Sequence, residues 1–239
     1  MKKLERKVAP KRNDNKKKQV QFDYMEVYRQ LRTNIEYSSF NEDVKVVNIT
    51  SSNPAEGKSS VASNLATVSI AKYAKVLLID CDLRKPVQHK IYKVSNKVGV
   101  SNLMKDTNEI DIDDERYFHK FKNNAAEGKL YLLTSGKSVP NPQELLSSNR
   151  FAELIKRFRE KFDFIIIDCP PLNAVSDAVP LSHVTDGTIF VVSAKDTDKR
   201  EAKNALQTLQ RNGAKVLGCV LTKVDKTTRS YYSYYGSDE

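Results

Sequence analysis

An eight-residue stretch in the first quarter of the sequence has the composition of a phosphate-binding loop. Residues 52–59 read SNPAEGKS, which fits the pattern G-x-x-x-x-G-K-S/T except that Ser52 replaces the first glycine. In such loops backbone N–H groups at a helix start point at phosphate oxygens, the lysine neutralises phosphate charge, and the final hydroxyl ligates magnesium. We therefore predict a nucleotide site with these contact residues: Pro54, Ala55, Glu56, Gly57, Lys58, Ser59 and Ser60.

Three aspartates follow two apolar runs that have the composition of buried strands. Asp80 and Asp82 come after residues 76–79, and Asp168 comes after residues 164–167. In open α/β sheets ligands collect at the carboxyl ends of strands, where carboxylates can hold Mg²⁺ for phosphoryl transfer. A single strand-end aspartate could equally be a helix cap or a turn former. Beside a phosphate loop, the set predicts catalytic roles for Lys58, Asp80, Asp82 and Asp168, and a magnesium site arranged by Ser59, Asp80 and Asp168.

Four of the eleven tyrosines lie in the last nine residues: Tyr231, Tyr232, Tyr234 and Tyr235. Serine, glycine and acidic residues surround them, so no apolar side chains are available to cover the rings in a core. We predict a flexible, exposed tail over residues 229–239. Next to an ATP site, such a tail suggests a kinase and its own substrate. The alternative is a docking peptide, or aromatic rings that fold back onto a groove.

The elements that must position these residues alternate in type along the chain. Apolar runs predict strands at 45–50, 75–80, 130–133, 164–168, 188–192 and 216–221, and helical spacing predicts helices at 22–37, 59–73, 150–160 and 200–210. This alternation predicts an α/β fold with a mostly parallel sheet covered by helices on both faces. Residues 105–129 are polar and irregular, and we expect a surface excursion there, with a solvated acidic loop rather than a metal site.

Length and charge divide the chain into three parts. The 239 residues suit one large domain, which we place at residues 21–228. The net charge of +10 is concentrated at the start, where residues 1–18 hold nine Lys or Arg and two acidic residues. Such a run predicts a disordered basic arm over residues 1–20. It is either solvated or in contact with anionic lipid or nucleic acid.

Cysteine usage and hydropathy favour a cytoplasmic protein. Cys81, Cys169 and Cys219 are odd in number and lack the paired spacing of a zinc site, which indicates structural thiols in a reducing compartment. No apolar run in the sequence approaches the roughly 20 residues that span a bilayer. We therefore expect a soluble protein.

Together these motifs resemble a known family. The loop at 52–59, the strand ending Asp80-x-Asp82-x-Arg84, the strand ending Asp168 before two prolines, and the tyrosine tail are similar to bacterial tyrosine kinases of capsular or exopolysaccharide synthesis. The resemblance is to the split form, whose transmembrane activator is a separate protein, and it runs from about residue 19 to residue 239. That family resembles deviant P-loop NTPases, including septum-site and plasmid-partitioning ATPases.

The resemblance implies an activity. It implies an ATP- and Mg²⁺-dependent protein-tyrosine kinase that autophosphorylates its C-terminal tyrosine cluster in trans and regulates capsular or extracellular polysaccharide synthesis and export. Other tyrosine-containing proteins are expected as substrates, and no nucleic acid is expected. Ser52 and Asn53 depart from the glycine and the signature lysine of deviant loops.

The resemblance also implies an assembly. In the predicted helix 22–37, Val27, Leu31 and Ile35 form one apolar stripe, while Glu26, Arg29 and Arg32 lie on the other side and match the family's oligomerisation motif. This implies a homo-oligomer, expected to be a ring, in which each tail enters a neighbour's site. The expected location is the inner face of the cell membrane, through the transmembrane activator and with contacts from the basic arm.

Two other functions fit parts of the sequence. A ParA/MinD-like ATPase switch, which binds DNA or membrane without phosphorylating protein, would have a similar core. The basic arm favours this alternative, whereas the tyrosine tail and Asn53 argue against it. A non-enzymatic adaptor that presents its tyrosines to another kinase would leave Lys58 and the three aspartates without a role.

Overall fold

The structure, a computed structural model, describes residues 23–38, 43–106, 111–122, 126–173 and 178–225. The predicted basic arm and tyrosine tail lie outside these residues, as do Tyr231, Tyr232, Tyr234 and Tyr235. Within the described ranges the strands are β1 Val46–Ser51, β2 Lys75–Asp80, β3 Phe118–Lys122, β4 Lys129–Leu133, β5 Phe164–Asp168, β6 Gly187–Ser193 and β7 Val216–Thr222. The helices are α1 Tyr24–Glu36, α2 Lys58–Ser69, α3 Gln88–Ile91, α4 Val100–Leu103, α5 Pro142–Leu146, α6 Asn149–Lys161, α7 Ala178–Ser182 and α8 Lys199–Arg211.

The strands form one sheet in the order β3-β4-β2-β5-β1-β6-β7. All of its pairings are parallel except that between β3 and β4, which confirms the predicted mostly parallel α/β fold. The antiparallel β3 corrects one expectation, because it lies inside the segment 105–129 that we expected to be irregular. Phe118 is buried and faces the core, although the charged residues around it hide the strand pattern in the sequence.

Helices pack against both faces of the sheet, as the unbroken apolar strands require. On β5, Ile165 and Ile167 pack with the α6 side chains Phe151 and Phe158. The alternate β5 residues, together with β2, pack on the opposite face against Leu65 of α2 and residues of α1. Because neighbouring strand residues point to opposite faces, each apolar strand fills two cores at once.

Helix α1 lies on α2, and its buried side differs from the predicted stripe. Tyr28 and Ile35 are buried, and Leu31 is partly buried against the same core. Val27, the first residue of the apolar stripe, is 46% exposed. The helix begins at the N-cap Asp23, whose side chain accepts a hydrogen bond from the backbone N–H of Met25. None of the described helices is long and apolar enough to cross a membrane.

Candidate active site

The predicted site residues meet at one edge of the sheet, where β1, β5 and β2 lie side by side. Asp80 and Asp168 end neighbouring parallel strands and are register partners, so the two carboxylates leave the sheet next to each other. A cavity of about 580 Å³ opens there. Its wall is formed by Pro54, Ala55, Gly57, Lys58, Ser59, Ser60, Asp82, Arg84, Lys85, Val87, Pro170 and Pro171.

The phosphate loop turns into α2 through backbone that favours glycine. Gly57 is the N-cap of α2 with φ +98°, in the left-handed region. A Cβ at this position would lie 3.2 Å from Cγ2 of Thr222, so both conformation and space select glycine. Ala55 also has a positive φ, +64°. This path leaves the N–H groups at the start of α2 facing the cavity, where phosphate oxygens would bind.

Glu56 fixes the loop from beneath and contributes no surface to the cavity wall. Its carboxylate is almost fully buried and accepts hydrogen bonds from the Ser52 hydroxyl at 2.9 Å and 3.0 Å, and from the Asn53 backbone N–H at 3.0 Å. Thr197 donates to the same carboxylate, and Thr222 donates to the Glu56 carbonyl oxygen. Ser52 therefore has a structural role where the usual pattern has glycine. No sequence pattern singled out Thr197, which belongs to a distant segment.

Two carboxylates hold Lys58 in the site. Its Nζ donates to Asp82 Oδ2 at 3.0 Å and lies 3.7 Å from Asp168 Oδ1, and the side chain is only 8% exposed. Burial acts to lower the pKa of Lys58, but the charges of Asp168, Asp82 and Asp80 outweigh it and raise the pKa. The ammonium therefore stays charged, and a nucleotide phosphate must compete with Asp82 for it.

Asp80 is buried and holds the polypeptide that follows β2. Its Oδ2 accepts the backbone N–H groups of Val87 and Gln88, both at 3.0 Å, and its Oδ1 accepts that of Asp82 at 3.2 Å. Burial, followed by repulsion from Asp168, raises the pKa of Asp80 above that of an exposed aspartate. Asp80 therefore caps the start of α3, and a nearby cation would stabilise its charged form.

Asp168 is fully buried, and an amide that we did not predict holds it. Gln88 Nε2 donates to Asp168 Oδ2 at 2.8 Å and to the Ser59 carbonyl oxygen at 3.0 Å. Burial raises the pKa of Asp168, and Lys58 acts in the opposite direction. No sequence pattern singled out Gln88, because a lone glutamine four residues beyond Arg84 has no distinctive spacing.

The residues present fit a magnesium ion that is bound mainly through nucleotide and water. Among the described residues, no group of three or more His, Cys, Asp or Glu side chains is arranged to hold a metal ion. Mg²⁺ usually takes one or two carboxylates and completes its shell with phosphates and water. Within the same residues, Asp168 Oδ1 is buried and accepts no hydrogen bond. Ser59, which follows Lys58 in the sequence, lines the cavity. These two residues are the best placed to take part.

The predicted oligomerisation residues are separated by the fold. Arg29 is exposed and pairs with Asp23 and Glu26 on the surface of α1. Arg32 instead lies against α2, where its Nη1 donates to the Val68 carbonyl oxygen at 3.1 Å. Glu26 and Arg29 are thus available to a neighbouring molecule, whereas Arg32 supports the packing of α1 on its own domain.

Comparison with known proteins decides the family. A protein-family model described as an AAA domain matches residues 44–216. The chain is 39% identical over 214 residues to the tyrosine-protein kinase YwqD of Bacillus subtilis, covering 90% of this chain and 87% of YwqD. It is 34% identical over 207 residues to the tyrosine-protein kinase CpsD of Streptococcus pneumoniae, covering 86% and 87%. The chain belongs to the bacterial tyrosine-protein kinases.

Solved structures agree with this assignment. The chimerical protein CapA2B2 is 36% identical and superposes with a TM-score of 0.75, covering 84% of this chain and 85% of that chain. The septum site-determining protein MinD of Pyrococcus horikoshii, complexed with Mg-ADP, is 22% identical, has a TM-score of 0.55 and covers 74% and 69%. MinD shares the fold alone. The predicted family, enzyme class and P-loop NTPase-like fold are therefore confirmed.

Proposed function

We propose that this bacterial tyrosine kinase uses ATP and Mg²⁺ to phosphorylate its own C-terminal tyrosines in trans. The supporting observation is that Lys58 and Asp82 line a cavity of about 580 Å³ and that the buried Asp168 lies 3.7 Å from Lys58, in a chain with four closely spaced tyrosines at 231–235. Entry of Tyr231, Tyr232, Tyr234 and Tyr235 into a neighbouring subunit's site is what the family resemblance implies.

In the proposed reaction the protein contributes position and charge. Loop N–H groups and Lys58 hold the terminal phosphates, and Lys58 leaves Asp82 to do so. Asp82, released from Lys58, accepts the proton of the tyrosine hydroxyl or orients it towards the γ-phosphate. The bond to the β–γ bridging oxygen breaks as the tyrosine oxygen bonds to phosphorus. Mg²⁺, when bound, neutralises charge on the phosphate oxygens, while Ser59, Asp80 and Asp168 hold it directly or through water.

The assembly that we propose is a homo-oligomer, with a ring as the expected form. Glu26 and Arg29, which are exposed on α1, would pair with a neighbouring subunit. Each phosphate adds about −1.5 to −2 charge to a tail, so tails with several phosphates would be repelled from a site that contains three aspartates. The ring would then come apart. Equal particle sizes before and after phosphorylation, measured by light scattering, would contradict this release.

The biological role that we propose is control of capsular or extracellular polysaccharide synthesis and export. The activator would be a transmembrane partner whose cytoplasmic segment binds the kinase and brings it to the inner face of the membrane. The nine basic residues in 1–18 would add contacts with anionic lipid. We expect weak kinase activity from the isolated chain and strong activity in the presence of the partner's cytoplasmic segment.

A mixing experiment tests transfer in trans. One protein carries Lys58→Met and an intact tail; the other has an intact site and the four tail tyrosines changed to Phe. With Mg-ATP and the activator segment, the tail of the Lys58→Met protein should gain phosphate, which mass spectrometry of the C-terminal peptide detects. Phosphate on intact wild-type tails but none in the mixture would show that transfer occurs within one chain.

A further inference from the structure

Gln88 connects the three parts of the candidate site. It is fully buried at the first position of α3, after β2. Its backbone N–H donates to Asp80 Oδ2 at 3.0 Å, and its side-chain Nε2 donates to both Asp168 Oδ2 and the Ser59 carbonyl oxygen. One residue therefore contacts the ends of β2 and β5 and the start of α2.

These contacts determine which way the amide points. Both Nε2 protons are used, one by Asp168 at 2.8 Å and one by Ser59 at 3.0 Å, so the alternative orientation of the amide would place an oxygen against two acceptors. Gln88 Oε1 must therefore face away from both acceptors. Asp168 Oδ2 is therefore occupied by Gln88, whereas Oδ1 is available to a ligand. The hydrogen bond from Gln88 also fixes the orientation of the Asp168 carboxylate.

Two buried oxygen atoms at this point lack donors. In the part of the chain that the structure describes, Gln88 Oε1 and Asp168 Oδ1 are buried and accept no hydrogen bond. The Lys58 ammonium is 3.7 Å from Asp168 Oδ1, which is too far for a hydrogen bond. Buried acceptors are nearly always satisfied, and leaving one unsatisfied costs about 1–3 kcal/mol. Two such oxygens on side chains that are hydrogen-bonded to each other fit a cation that carries water molecules.

We propose that Gln88 is a positioning residue for hydrated Mg²⁺. It holds Asp168 so that Oδ1 faces the cation, and its Oε1 accepts a hydrogen bond from a water molecule of the cation's shell. The inference rests on the proposed use of Mg-ATP and adds the residue that orients the metal-binding carboxylate. It follows the general behaviour of metal sites, in which hydrogen-bond partners of the ligands fix ligand geometry.

A purely structural role gives different expectations. If Gln88 only held the Ser59 carbonyl oxygen, its loss would disturb the start of α2 and weaken nucleotide binding whether or not metal is present. If it positions Asp168 for metal, nucleotide binding without metal is preserved and the metal affinity falls. Removing the outer partner of a metal ligand typically lowers metal affinity by about 10–100-fold.

The test compares metal binding with metal-free nucleotide binding in Gln88→Met, which keeps the length of the side chain and removes its hydrogen bonds. Electron paramagnetic resonance of Mn²⁺ measures metal affinity at saturating ADP, and a fluorescent ADP analogue measures nucleotide affinity in EDTA. Gln210→Met, on the exposed side of α8, is the matched control. Gln88→Asn keeps the amide but shortens its reach, so it serves if Gln88→Met does not fold.

We expect Mn²⁺ affinity to fall about 10–100-fold in Gln88→Met, with ADP affinity in EDTA unchanged and with Gln210→Met equal to wild type. Unchanged Mn²⁺ affinity would overturn the inference. An equal loss of ADP affinity in EDTA would also overturn it, because that result indicates a structural role. Failure of the wild type to bind Mn²⁺ with ADP would instead contradict the proposed Mg-ATP chemistry itself.

Discussion

The Lys58–Asp82 ion pair predicts that Asp82→Asn separates nucleotide binding from phosphoryl transfer. Lys58 Nζ donates to Asp82 Oδ2 at 3.0 Å, and the two side chains are 8% and 7% exposed. A phosphate that recruits Lys58 must break this bond. A hydrogen bond between charged groups contributes about 1.5–3 kcal/mol, or roughly a factor of 10–100 in affinity. An amide oxygen retains part of that bond, so we expect metal-free ADP affinity to rise about tenfold.

The same substitution should slow the chemistry. If Asp82 accepts the tyrosine proton, its loss should lower the transfer rate by about 100-fold, at the low end of general-base effects. The low end applies because a loose transition state needs little proton removal before phosphorus–oxygen cleavage. Fluorescent ADP titration in EDTA measures the first effect, and single-turnover transfer of labelled phosphate to the tail measures the second.

A surface pair provides the control for this prediction. Asp113→Asn breaks an Asp–Lys ion pair of 2.7 Å with Lys120, at an aspartate that is 74% exposed. It should change neither ADP affinity nor transfer rate. Weaker ADP binding in Asp82→Asn than in wild type would refute the argument that Asp82 competes with phosphate. An unchanged transfer rate would remove Asp82 from the chemistry.

Three further predictions follow from the loop, the buried carboxylates and α1. Gly57→Ala should weaken ADP binding about tenfold or more, because an alanine in the left-handed conformation costs about 1–2 kcal/mol and its Cβ would crowd Thr222. Gly213 is the control, because its φ is also positive but no atom lies within 4 Å of an added Cβ. Gly213→Ala should therefore leave ADP affinity unchanged. The pKa of Asp80 is raised in the folded protein, so its stabilising contribution is complete below its unfolded pKa of about 3.9 and is lost as pH rises through the folded value. Between pH 5 and pH 7 the free energy of unfolding of Asp80→Asn, measured in urea, should therefore increase relative to that of wild type by up to about 1.4 kcal/mol per pH unit. A difference that stays constant with pH would contradict the raised pKa of Asp80. Arg32→Ala should lower the free energy of unfolding by about 1–2 kcal/mol, because it removes the part-buried hydrogen bond to the Val68 carbonyl oxygen and the ion pair with Glu36. Arg29→Ala should change only the particle size in light scattering. Equal stability of the two variants would count against their separation by the fold.

The sheet could be predicted from the sequence because its strands are apolar and short. The predicted bounds of β2 and β5 are those observed, and the other predicted strands differ by one residue at one or both ends. Such runs allow few alternatives, since a parallel strand is buried on both faces. The strand β3 was missed because its exposed lysines and His119 dilute the pattern, and only its pairing with β4 identifies it.

The candidate site was predictable where chemistry depends on local spacing. Lys58, Ser59 and the strand-end aspartates were found because a loop between a strand and a helix needs those residue types in that order. Gln88 and Thr197 were missed, since they reach the site from separate segments and their types have no distinctive chemistry. The apolar stripe of α1 did not identify its buried side, because a four-residue step alone does not determine which side of a helix meets its neighbour.

The central claim is that the nucleotide site phosphorylates the tyrosine tail. Mass spectrometry of the C-terminal peptide, after incubation of the protein with Mg-ATP and a candidate activator segment, tests it most directly. Lys58→Met provides the inactive site, and Lys156→Met, on the exposed side of α6, is the matched control. The account predicts phosphate on residues 231–235 in wild type and Lys156→Met and none in Lys58→Met. ATP hydrolysis with an unmodified tail would contradict the account and favour a nucleotide switch.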